Sequence, residues 1–240
     1  MMPGNLFCLQ VAAAFANRRK RLLQIGIGGL LAMPFILVDM PARAQAGGVV
    51  MVIIFTTFFG SAVGHLRLRD DRRMAQLTLL PIPRATLWLD LVLASMVARL
   101  VPAAVVPAVF VAVNGQAVTA AAVVYLAGLL CGALLLLTVL GLAAARLARD
   151  NGEVHLFGAL ACGGIALLSG VVPLPARLRG VETVAAWNPI GQFAAALTHL
   201  AEGFLVVTAP QLALAAAILG VFLAAVALRW IAGGATAKII

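Results

Sequence analysis

Ala117-Val-Thr-Ala-Ala-Ala-Val-Val-Tyr-Leu-Ala-Gly-Leu-Leu-Cys-Gly-Ala-Leu-Leu-Leu-Leu-Thr-Val-Leu-Gly-Leu142 contains no charged residue. A helix needs about 20 consecutive apolar residues to cross the hydrocarbon core of a bilayer, and this run supplies them. Five further windows read the same way: Leu22–Val38, Val49–Gly64, Leu87–Val113, Val154–Val172 and Phe204–Leu228. Leu, Ala, Val and Gly dominate them with little alternation, so the pattern predicts helices and not barrel strands. The whole chain is 64% hydrophobic and only 10% charged, with mean hydropathy +1.11. A soluble domain of 240 residues does not have this composition. The expected fold is an all-α integral membrane protein of six transmembrane helices, one domain over residues 1–240.

The net charge of +9 could suggest a nucleic-acid partner, but its distribution argues against one. Arg18, Arg19, Lys20 and Arg21 precede the first window, and Arg67, Arg69, Arg72, Arg73 and Arg84 lie between the second and third. With Arg99, Arg146, Arg149, Arg229 and Lys238, 14 of the 17 cations fall on one side of a six-span chain. Only Arg43, Arg177 and Arg179 fall on the other. By the positive-inside rule this places both termini and the segment between the second and third spans in the cytoplasm. A bacterial inner membrane suits the compact build. No basic stripe with interleaved aromatics is present.

The N-terminal apolar run Leu6–Ala16 is short, and its positive charges follow it, unlike a secretory signal. Asn5–Ala16 is expected to be an amphipathic helix lying in the interface, with the basic cluster behind it facing anionic lipid. Cys8, Cys131 and Cys162 read as small apolar filler. Pro102 and Pro107 should bend the third span, and Asp90 and Arg99 sit within it. These two are nine residues apart, roughly 13 Å along the helix, so they do not pair with each other. Asp90 is expected at the interface. Arg99 either snorkels to the headgroups or faces a seam or cavity.

The stretch Pro173–Gly203 is too polar for a span and too apolar for a plain loop. It predicts a re-entrant or interfacial helical hairpin on the external side, between spans five and six. The segment between spans two and three is the most charged, with Arg69, Asp70, Asp71, Arg72 and Arg73 together. Met74, Leu77 and Leu80 then recur at helical spacing before Pro81-Ile82-Pro83-Arg84. Prolines stop a helix, so a short amphipathic helix ending in a rigid turn is expected, feeding the third span.

No phosphate-binding loop exists, because neither lysine follows a Gly. His65, His155 and His199 are scattered without metal-ligand spacing. An intramembrane serine protease of rhomboid type would use G-x-S-G with a distant histidine. Ser169-Gly170 lacks the first Gly, since Leu167-Leu168 precedes it, and His199 falls in the external hairpin. That enzyme and a stand-alone channel or scaffold are the alternatives.

Two segments resemble the permease subunits of type-2 ATP-binding-cassette (ABC) exporters. Met74-Ala-Gln-Leu-Thr-Leu-Leu-Pro-Ile-Pro-Arg84 is similar to the latter half of that family's E-R-x-x-G-T-L-E-x-L-L-x-T-P-x-x-R, with Leu77, Pro81 and Arg84 in register. Arg72 stands at the family's Gly, and Ala75 at its second Glu. Leu168-Ser-Gly-Val-Val-Pro-Leu-Pro-Ala-Arg-Leu178 followed by Trp187-Asn-Pro-Ile190 is similar to its S-G-x-x-x-P…L-P…L and N-P-L. Gly191-Gln192 replaces the usual Thr-Tyr. The resemblance implies a pair of permeases, identical or not, with two ABC ATPase subunits that carry ATP and Mg; this chain binds no cofactor or metal and is not itself an enzyme. It implies that residues 66–84 form a coupling helix. It further implies that Arg99, Pro102, Pro107, Ser169, Gly170, Pro173, Asn188 and Pro189 form or gate the path.

Overall fold

The computed structural model describes residues 5–16, 18–70, 75, 77, 79, 82–114, 118–172 and 179–237. Among these, every regular element is a helix: α1 (Asn5–Ala16), α2 (Arg18–Leu37), α3 (Ala42–Asp70), α4 (Arg84–Val113), α5 (Ala120–Leu147), α6 (Asn151–Leu168), α7 (Arg179–Trp187), α8 (Pro189–Ala201) and α9 (Ala209–Ala237). Four of them, α3, α4, α5 and α9, are long and apolar enough to cross a bilayer. The α1–α2 pair, bent by 69°, makes a fifth if counted as one span. The fifth sequence window is a shorter apolar helix that ends where Gly170 turns the chain at φ 65°.

α3 is the hub. In its most apolar window 67% is buried within the chain, against 50% in α5, 28% in α4 and 11% in α9. Its inward residues Val49, Ile53, Ile54 and Phe58 pack with Leu134, Leu137, Phe193 and Leu197 of α5 and α8 in one core. In a lipid-like setting close backbone approach replaces the hydrophobic drive between helices, and small residues permit it. A methyl group on Gly128 of α5 would collide with the backbone of Ala215 in α9. At Gly141 it would lie 2.7 Å from the carbonyl oxygen of Phe58. Ser61 and Ser95 share a hydrogen bond of 3.2 Å between α3 and α4.

Helix ends follow local chemistry. Thr119 Oγ1 accepts from Ala122 N at the start of α5, and Asp150 Oδ1 from Glu153 N at the start of α6. Such caps satisfy otherwise orphaned amides. α4 runs without a break through Pro102 and Pro107.

Two expectations need correction. α1 has the expected limits, but its apolar residues surround it instead of lining one stripe, so it is not amphipathic. The second window, Val49–Gly64, stops short of the end of its helix. α3 continues as helix to Asp70, because Leu66, Arg67, Leu68 and Arg69 are all good helix formers with no Gly or Pro among them.

Candidate functional site

The ends of α3, α4, α5 and α9 meet at an arginine-rich end of the bundle. Arg69, in the last turn of α3, donates to the carbonyl oxygens of Ala148 and Arg149, both at 2.6 Å. These carbonyls lie just beyond α5, so Arg69 ties the exit of α3 to the turn before α6. Its charge-assisted bonds are of the stronger kind. Asp70 lies beside it at 3.9 Å and is exposed. His65 is buried against the Trp88 ring, which Arg146 also covers at 5.2 Å.

Leu77 is half-buried against a small apolar cluster of Leu6, Leu87 and Leu91. Part of the charged segment therefore rests on α1 and α4. Pro83 adopts an extended conformation and caps α4, which Arg84 opens. The expectations for Asp71, Arg72, Arg73, Met74, Leu80 and Pro81 lie outside the described residues, as does that for Pro173.

Asp90, expected at the membrane interface, lies at this arginine-rich end and points into the bundle. Its side chain is 1% exposed and ion-paired with Arg229 of α9, with Nε 2.7 Å from Oδ1. The approach is a close ion pair without the alignment of a full hydrogen bond. Sequence reasoning tested Asp90 only against Arg99, its neighbour in the same helix. A partner 139 positions away carries no local signal. Arg99 does face a cavity, donating through Nη2 to Gly60 O at 2.6 Å.

At the opposite end, α7 and α8 meet in a junction at Asn188. Asn188 organises it twice over. Its Oδ1 accepts from Ile190 N at 3.0 Å, capping α8, and its Nδ2 donates to Ser169 Oγ at 2.8 Å. Pro189 occupies the first turn of α8, where its missing N–H costs nothing. Gly191 lets α8 press onto the carbonyls of Ala185 and Ser169. A cavity of about 530 Å³ opens here, bordered by Arg43, Ser169, Gln192, His199 and Glu202. Ser169 is 3% exposed and engaged with Asn188. His199 sits 3.8 Å from Glu202 and against the Phe204 ring. The two share the cavity wall with no hydrogen bond between them. Pro102 borders the Arg99 cavity, while Pro107 is buried in α4.

Among the described residues no group of His, Cys, Asp and Glu could hold a metal ion. No protein-family model, curated protein or solved structure matches the chain. Fold and composition point to the class: among the described residues all regular structure is helical and four or five helices are able to cross a bilayer, as in a membrane protein.

Proposed function

We propose that this chain is the permease subunit of an ATP-driven exporter of the type-2 ABC kind, in a bacterial inner membrane with both termini cytoplasmic. The reading counts α2, α3, α4, α5, α6 and α9 as six spans. What carries it is the order of elements. A charged segment with a proline exit joins α3 to α4, and a helical hairpin capped by Asn188-Pro189 joins α6 to α9. Residues 66–84 would seat in a groove of a separate ATPase. A push there would reach α3 directly, since Asp70 is its last residue. It would reach α4 through Leu77 and the Pro83 cap. Mixed charge suits an electrostatically registered interface. Two such permeases with two ATPases would alternate as rigid bodies between inward and outward states.

The test is the double variant Asp70→Arg with Asp71→Arg, in membranes that also contain the ATPase. Stimulation of ATP hydrolysis by the permease should be lost while the amount of chain in the membrane stays the same. Unaltered stimulation would remove the coupling role, and absence of any P-loop ATPase from the gently purified complex would remove the permease reading itself.

A further inference from the structure

Arg99 lies at the midpoint of α4, in the apolar middle of the bundle. A guanidinium there is costly unless an opposite charge or several hydrogen bonds compensate it. The contrast with Arg229 is sharp: Asp90 balances that charge, while no described carboxylate pairs with Arg99. One bond, to Gly60 O, is made. Arg99 Nε is buried without a partner, and so is Thr57 Oγ1, in a residue only 1% exposed.

Arg99 and Thr57 both line one cavity of about 170 Å³ between α2, α3 and α4, with Gln24 and Thr56 adding further polar side chains. Ile27, half exposed, forms part of its rim. Gly60 is what admits the guanidinium, because a methyl group there would occupy the space of Arg99 Cζ and Nη1. The volume takes a headgroup-sized oxyanion and a few carbons. The lining is cationic and hydrogen-donating, while the rim is apolar.

We infer that this cavity binds the oxyanion of an amphiphile, a phosphate or carboxylate whose apolar tail leaves between α2 and α4. The planar, multiply donating guanidinium suits either group. Thr57 supplies a hydroxyl donor, and Gln24 an amide. The inference stands on these side chains and does not depend on the transport reading.

The test uses the purified full chain in a neutral detergent, with dodecyl phosphate, dodecanoate and dodecanol as probes and native mass spectrometry as readout. One of the two anions should bind once per chain, at least tenfold more tightly than dodecanol. Inorganic phosphate at equal concentration should not displace it. Arg99→Gln should weaken binding at least tenfold. Gly60→Ala keeps the charge but fills the space of the guanidinium, and Ala favours helix over Gly. That variant should weaken binding comparably, so it decides the matter even if Arg99→Gln fails to fold. Thr57→Val should cost about threefold, on the order expected of one modest hydrogen bond. Equal binding of dodecanol, full competition by inorganic phosphate, or undiminished binding in Gly60→Ala would overturn the inference.

Discussion

The two ends of the bundle are held by different chemistry. At the arginine-rich end, long side chains reach between helices remote in sequence: Arg69 to Ala148 and Arg149, Arg229 to Asp90, Arg146 to Trp88. At the Asn188 end the fastenings are short. Asn188 holds Ser169 and caps its own helix, and Gly191 allows contact between backbones. The first end concentrates its cohesion in a few charges, and in the Asp90–Arg229 pair the loss of one leaves the other stranded. The second distributes it over shape. An apolar bundle thus uses charge where its chain termini and connections carry arginine anyway, and close packing where they do not.

Trp88 and Trp187 lie at opposite ends, so chains retaining one tryptophan each report the two regions separately during detergent unfolding. The largest effect should come from Asp90→Ala, which leaves Arg229 without its counter-ion and should destabilise by about 3–5 kcal/mol. Adding Arg229→Met should recover most of that loss, because the damage lies in the stranded charge. A double variant as unstable as the single one would break the contrast. Next is Gly191→Leu, which forces a side chain against the carbonyls of Ala185 and Ser169 and should cost about 1–3 kcal/mol. Its effect should register at Trp187 before Trp88, and a neutral result would show that this end is not held by shape. The smallest is Ser169→Ala, which removes one hydrogen bond to Asn188 at about 1 kcal/mol. A loss exceeding that of Asp90→Ala would reverse the order of the two ends. Ser169→Ala also tests the protease alternative, which requires that all activity disappear with the hydroxyl.

The helices were legible because a spanning helix writes itself as an apolar run free of charge, and residues 117–142 are such a run. Their ends were less so. Nothing in Leu66–Asp70 marks a change of element, so the sequence divided what the backbone continues. The mixed polarity of Pro173–Gly203 set that stretch apart from the spans, but the Asn188 cap on α8 is a contact that only the structure displays. The Asp90–Arg229 pair was not readable, since pairing across helices leaves no periodic trace. Nor was the Gly60–Arg99 fit, which depends on how α3 and α4 come together.

The Asp90–Arg229 pair also imposes an order of events during synthesis. Arg229 leaves the ribosome 139 residues after Asp90. At 5–20 residues per second that is roughly 7–28 s. Throughout that interval the carboxylate is without the guanidinium that pairs with it in the folded bundle. A nascent chain that lacks α9 is therefore chemically distinguishable from one that carries it. The arrival of α9 covers a single bare acid.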